Sequence, residues 1–200
     1  MPKTVEVPEY QIEDRVQVDP ATTAVVVVDM QHDFVDEDGA LSVPGAGDTV
    51  PRIRRLLDWA REQGMTVCYT QDTHREGDPE WELWGRHAEE GTHGWRIVEE
   101  IAPRGDEMVF RKVRYDGFYD TGLDHHLRVQ GVDTVIVCGT VANICVHYTA
   151  ASAGLRWYGV IHPVDAISAL TEFDMEAALR QAAFLFQALL TTVDGLVGGS

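Results

Sequence analysis

The chain is predicted to fold as a three-layer α/β/α domain around a mainly parallel six-stranded sheet. Three observations predict it. Short β-branched runs alternate with amphipathic segments along the chain. The first run is apolar without interruption, as expected of a strand covered on both faces. The 200 residues carry no internal repeat and no low-complexity linker, so residues 1–200 read as one domain with an N-terminal extension over 1–20.

The elements follow in order. Thr23 to Met30 (TAVVVVDM) is the first strand. Asp48 to Gln63 is an amphipathic helix, with Val50, Ile53, Leu56, Leu57 and Ala60 on one face and Gly64 as its stop. Met65 to Gln71 and Glu107 to Val113 are the second and third strands. Leu123 to Gln130 is a helix closed by Gly131, and Thr134 to Cys138 is the fourth strand. A helix over Asn143 to Gly154, a strand over Trp157 to Pro163, a helix over Asp174 to Ala188 and a sixth strand over Leu189 to Val193 complete the pattern. This alternation implies right-handed crossovers and a Rossmann-like sheet, in which ligands sit at the carboxyl ends of strands. The segment from Thr73 to Pro103 lacks periodicity and is long for a connection, which marks it as functional.

Charge narrows the function. The net charge is -17, from 33 acidic and 16 basic residues, of which only Lys3 and Lys112 are lysines. Such a surface repels nucleic acid and anionic membranes, so neither is an expected partner. No apolar run is long enough to span a bilayer, and the N-terminus lacks the apolar core of a signal peptide. The expected location is the cytoplasm. Acidity with scarce lysine fits a salt-rich cytoplasm, where ions screen self-repulsion, and equally an ordinary acidic protein. Cys68, Cys138 and Cys145 are too few for a disulfide framework.

Candidate chemistry gathers where strands end. The first strand ends in Asp29, the second leads into Asp72-Thr73-His74, the third carries Lys112, and the fourth runs into Gly139-Thr140-Val141-Ala142-Asn143-Ile144-Cys145. All lie at one edge of a parallel sheet. Cys145 falls at a predicted helix start, where free N–H groups lower a thiol pKa and can hold an oxyanion. The competing reading is a small buried apolar residue, which is the better one for Cys68 and Cys138. Asp29 ends an apolar strand, where a carboxylate is costly unless paired, and Lys112 is its natural counter-charge. The competing readings are a capping aspartate and a solvated lysine. Asp29 near a thiol would serve as general base.

Asp72 and His74 point to one side of an extended segment, and His87 follows in the long loop. Asp, His and His suit a borderline divalent ion such as zinc. Alone, D-x-H is a weak signal, and unrelated surface histidines are the better reading of it. The other histidines, His32, His93, His125, His126, His147 and His162, show no usable spacing.

These residues together resemble the isochorismatase-like cysteine hydrolases over roughly Thr23 to Val193. Val-Val-Val-Asp29-Met-Gln31-His-Asp33-Phe34 is similar to the family's first-strand motif. Lys112-x-x-Tyr115-Asp116-Gly117-Phe118 is similar to its lysine motif, with Asp116 replacing a small polar residue. Gly139 to Val146 resembles the nucleophile motif, and Val164-Asp165-Ala166-Ile167-Ser168-Ala169 the segment after the fifth strand. The resemblance implies a triad of Asp29, Lys112 and Cys145. It implies a cis Thr140–Val141 peptide and oxyanion donors at the backbone of Val141 and Cys145.

Within that superfamily, Asp72-x-His74, Trp84-x-x-His87 and Gly91-Thr92-x-Gly94 are similar to the metal loop of nicotinamidases. Gly85 and Arg86 replace the usual proline-containing pair. The resemblance implies metal ligation by Asp72, His74 and His87, with Glu80 as a further candidate ligand. Zinc is the first expectation, with manganese or iron as alternatives. Phe34, Trp84 and Tyr115 become expected substrate contacts, and core packing is the competing role for Phe34 and Trp84. The expected activity is cysteine-dependent hydrolysis of nicotinamide or a similar small carboxamide through a thioester. The alternatives are an isochorismatase, a ureido-, carbamoyl- or maleamate-type amidohydrolase on the same triad, and a non-catalytic binding protein. A homo-oligomer is also expected, with Trp157, Tyr158 and Phe184 to Leu190 as candidate interface residues.

Overall fold

The computed structural model describes residues 4–198. Seven strands form one sheet: β1 (Thr23–Val28), β2 (Thr66–Asp72), β3 (Met108–Lys112), β4 (Thr134–Thr140), β5 (Gly159–Pro163), β6 (Ile167–Ser168) and β7 (Leu189–Thr191). Their order is β3-β2-β1-β4-β5-β7, with β6 paired to β4, and every pairing is parallel. The expected count of six is therefore corrected to seven. The missed strand has two residues, too short for any periodicity. It forms because β4 runs past its last pairing with β5 at Ile136, and Ile167 and Ser168 take up the edge at Gly139 and Thr140.

β1 lies mid-sheet between β2 and β4, and all six of its residues are buried. A strand covered on both faces needs apolar side chains at every position, which is why TAVVVV shows no alternation. One face packs under α2 (Ala46–Glu62) and the last helix α7 (Val193–Val197). The other packs under α4 (Leu123–Val129), α5 (His147–Leu155) and α6 (Glu172–Leu185). Ile53, Leu56 and Leu57 of α2 are fully buried, and each such side chain contributes about 1.5–3 kcal/mol. Two short helices, α1 (His32–Val35) and α3 (Glu80–Trp84), follow β1 and β2.

Helix boundaries moved for local reasons. α6 begins at Glu172 rather than Asp174, because the Thr171 hydroxyl accepts from the Asp174 N–H and caps the helix two residues earlier. The expected helix over Asn143 to Gly154 is a π-helical turn (Ala142–Val146) running into α5. Within the N-terminal extension, residues 1–3 lie outside the described residues. Glu13 docks beside β7, donating its N–H to Leu190 O at 2.7 Å.

Of the candidate interface residues, Trp157, Phe184 and Leu185 are exposed, whereas Tyr158 and Leu190 are core residues. No helix among the described residues is long and apolar enough to cross a membrane.

Candidate active site

Chain order reverses between β1 and β4, so a crevice opens beyond their carboxyl ends. Val28 pairs with Gly139 there. A Cβ on Gly139 would lie 2.2 Å from the Val28 carbonyl oxygen, and its φ is +115°. Only glycine permits this approach, and it lets the chain turn from β4 into the π-helical segment that carries Cys145. The Thr140–Val141 peptide is cis. Asp29, just past β1, adopts φ 49°, a left-handed conformation that aspartate tolerates better than most residues.

Lys112 is the centre of the constellation. Its Nζ lies 2.7 Å from Asp29 Oδ2, 3.0 Å from Asp72 Oδ1 and 3.6 Å from Cys145 Sγ. All four side chains are buried. Thr70 holds the carboxylate from the other side, its hydroxyl donating to Asp29 Oδ1 at 2.7 Å. Lys112 takes Asp29 Oδ2 and Thr70 takes Oδ1, so the carboxylate is held from both sides.

Burial opposes every charge here, and the neighbours decide which charges survive. Burial pushes the Cys145 thiol well above its usual pKa; Lys112 opposes this, while Asp29 and Asp72 reinforce it. The expectation of a lowered thiol pKa is thus corrected: enclosure and two carboxylates outweigh the single ammonium and the turn's N–H groups. Burial also raises Asp29, with Lys112 as the main counterweight. Burial would lower Lys112, but Asp29 and Asp72 hold its pKa well above the usual value. The resting site therefore holds a neutral thiol beside a firmly protonated lysine and a carboxylate of raised basicity.

Asp72 joins this group to a second one. Its Oδ2 lies 3.0 Å from His74 Nε2 and 3.6 Å from His87 Nε2, and Glu80 Oε1 is 3.9 Å from His74 Nε2. Burial works against the Asp72 charge, but Lys112 and both imidazoles hold its pKa well below the carboxylate range. Burial also works against a charged His74, but Asp72, Asp78 and Glu80 raise it to about 9. The four side chains are buried, and one donor atom from each lies within 4.8 Å of the rest.

The tautomers suit a metal. His74 Nδ1 faces Asp78 Oδ2 at 2.9 Å, and His87 Nδ1 donates to the Gly85 carbonyl at 2.7 Å. Each imidazole thereby turns its Nε2 toward the shared centre, as ligating histidines do. Two imidazoles with two carboxylates match zinc, and also manganese or iron.

The long loop delivers His87 by backbone pairing. His74 N–H bonds to Ala88 O, Glu90 N–H bonds to His74 O, and Trp81 Nε1 reaches His87 O. Asp33 Oδ2 accepts the Ala88 N–H at 2.7 Å. Gln31 grips Asp72 through both backbone groups: its Oε1 accepts the Asp72 N–H, and its Nε2 donates to the Asp72 carbonyl. The positioning roles of Thr70, Asp78 and Gln31 escaped the sequence reading. Gln31 sat in a recognised motif without a role. Asp78 had only its position four residues after His74 as a signal.

A cavity of about 120 Å³ opens onto Cys145, Asp72, Glu80 and His87. Phe34, Trp84 and Tyr115 line it, with Val141, Ile144 and Leu170. Trp84 Nε1 donates to Tyr115 Oη at 2.8 Å, tying two of these walls together.

Fold and site together define an isochorismatase-like hydrolase. The isochorismatase domain family matches residues 23–194, and the chain belongs to it. The chain is 31% identical to a ureidoacrylate amidohydrolase of Caulobacter segnis, over 90% of this chain and 86% of that one. It is similar to the structure of N-carbamoylsarcosine amidase from Thermoplasma acidophilum, with TM-score 0.80, 37% identity, and coverage of 86% and 97%. It is also similar to the zinc complex of the pyrazinamidase of Pyrococcus horikoshii, with TM-score 0.81, 29% identity, and coverage of 85% and 98%.

Proposed function

We propose that the chain is a cysteine amidohydrolase that converts a small, neutral, planar carboxamide, nicotinamide first, to its acid and ammonia. One observation carries this reading. Cys145 shares a small, largely apolar cavity with Asp72, Glu80 and His87, and no arginine or lysine is among the residues that line it. A metal ion on Asp72, Glu80 and His87 would offset both carboxylates, so the apolar walls of Phe34, Trp84, Val141, Ile144 and Leu170, rather than charge, favour a small neutral ring substrate.

The chemistry uses this chain's own groups. Asp29 takes the Cys145 proton as the sulfur attacks the carbonyl carbon. The oxygen of the tetrahedral intermediate faces the backbone N–H groups of Val141 and Cys145. Asp29 returns the proton to the leaving nitrogen, and the C–N bond breaks to give ammonia and a thioester. Water then attacks the thioester, with Asp29 accepting its proton. The acid leaves, and Asp29 reprotonates the thiolate to restore the thiol. Lys112 stays protonated throughout and steadies the negative charge as it passes between Asp29 and sulfur. A divalent ion, zinc first, held by Asp72, His74, His87 and Glu80, would supply a Lewis-acidic anchor for a ring nitrogen. Phe34 and Trp84 would flank the ring, and Tyr115 would hold Trp84 in place.

A second reading keeps the triad and changes the substrate to a ureido or carbamoyl amide. The ureidoacrylate and carbamoylsarcosine enzymes favour it, since their identities of 31% and 37% exceed the 29% of the pyrazinamidase. An ammonia-release panel of nicotinamide, pyrazinamide, ureidoacrylate and N-carbamoylsarcosine, with and without chelator, separates the two. Preference for the pyridine amides with loss on chelation supports the first reading. Preference for the anionic ureido compounds overturns it in favour of the second.

A further inference from the structure

We propose that His32, Asp36 and His93, with Glu99 beside them, form a second divalent-metal site, apart from the Asp72 cluster. The first three residues offer one ligand atom each within 4.8 Å of the others. His32 Nδ1 lies 2.8 Å from Asp36 Oδ2, and His93 Nε2 lies 3.9 Å from the same oxygen. Bonds of about 2.0–2.1 Å to nitrogen and oxygen put neighbouring ligand atoms about 2.9–3.4 Å apart in octahedral or tetrahedral geometry. The spacings therefore bracket a coordination shell. They match those of the Asp72 cluster, which run 3.0, 3.6 and 3.9 Å.

A second observation points to a missing ligand. His32 is buried, with only 8% of its surface exposed. Its two ring nitrogens face two carboxylates, Nδ1 toward Asp36 Oδ2 at 2.8 Å and Nε2 toward Glu99 Oε2 at 3.1 Å. A neutral imidazole has one N–H and can serve only one of them; a metal ion at the Nδ1–Asp36 edge would satisfy that side and leave the N–H for Glu99, the arrangement in which a ligating histidine is held by a carboxylate behind it. The His32 and His93 rings stack at 4.0 Å with 28° between planes, which places a nitrogen of each ring beside Asp36 Oδ2, at 2.8 and 3.9 Å.

The donor set names the ligand class. Two imidazoles and one or two carboxylates favour zinc or a neighbouring transition ion over calcium or magnesium, which prefer all-oxygen shells. Asp36 and His93 are accessible, and His32, Asp36 and Glu99 border an open cavity of about 790 Å³, so water can complete the shell. A net charge of -17 further concentrates cations at the surface.

The position gives the ion a role. His32 opens α1, and His93 lies in the loop that runs alongside it. Between them, His32 N–H donates to Arg96 O, Asp33 N–H donates to Gly94 O, and Gln31 Nε2 reaches Trp95 O. An ion shared by His32 and His93 staples this loop to α1. The same Gln31 grips the backbone of Asp72, so the staple stiffens the base of the active site without touching substrate.

Zinc titration of chelator-stripped full-length protein, against a chromophoric competitor, tests the proposal. His93 is at the surface, so His93→Ala is expected to fold normally, and Asp36→Asn serves as the second variant. Wild type should bind one more equivalent than either variant. Zinc should raise the melting temperature of wild type more than that of His93→Ala, and basal turnover should survive in the variant. Equal stoichiometry and equal thermal shift in wild type and both variants overturn the site. The readout is a difference, so it stands whether or not the Asp72 cluster takes zinc.

Discussion

Lys112 Nζ donates to Asp72 Oδ1 at 3.0 Å, while the other oxygen of Asp72 faces the two imidazoles. One carboxylate thus belongs both to the thiol's electrostatic surroundings and to the metal-ligating cluster. Loss of Lys112 has a signed consequence. Lys112 is the group that opposes the upward push on Cys145. Lys112→Met should therefore move the pH profile of thiol alkylation upward and slow alkylation at neutral pH. It should also destabilise the fold by about 3–5 kcal/mol, because Asp29 and Asp72 are left buried without their shared cation. Alkylation rates across pH and denaturant midpoints measure both effects.

Gln31 satisfies both backbone groups of Asp72 and also reaches the Trp95 carbonyl. Gln31→Leu keeps the volume and removes all three bonds. Chemical denaturation should show a loss of about 2–4 kcal/mol, from buried backbone groups left unpaired. Metal affinity should fall with it, since Asp72 loses its anchor.

Gly139→Ala forces a methyl group against the Val28 carbonyl at a φ that L side chains rarely adopt. The loss should exceed about 3 kcal/mol, combining strain with displacement of the central strand pair. Thermal melts and recovery of soluble protein report it.

His162 is buried, and its Nδ1 donates to the Val137 carbonyl. Burial lowers its pKa from 6.5 to about 4. Above pH 6.5 folded and unfolded chains both carry it neutral, so it carries no penalty there. As pH falls from 6.5 toward 4, the unfolded chain takes up a proton that the folded chain refuses, and stability drops. The full effect is on the order of 3 kcal/mol. Stability measured by denaturant between pH 7 and 4 should decline, and His162→Gln should flatten that decline.

Much of this was legible because parallel sheets put chemistry at strand ends. Asp29, Lys112 and the Cys145 turn each follow a strongly apolar run, so their convergence could be read from the pattern alone. Asp72 and His74 were legible for the same reason, and His87 through the resemblance of Trp84-x-x-His87 to a known metal loop. What escaped was tertiary. β6 exists because β4 runs on past its last pairing with β5, which no local pattern encodes. The thiol pKa turned on enclosure by two carboxylates rather than on the local turn. His32 and His93 are far apart in sequence and meet only because the long loop pairs back along α1.

The central claim is that the Cys145 sulfur forms the covalent bond with the substrate. Mass spectrometry of enzyme acid-quenched during turnover of the preferred amide tests it most directly. The account predicts an acyl adduct on the peptide containing Cys145, absent from Cys145→Ala, which should be folded and inactive. An adduct on another residue, or ammonia release by Cys145→Ala at the wild-type rate, would contradict it.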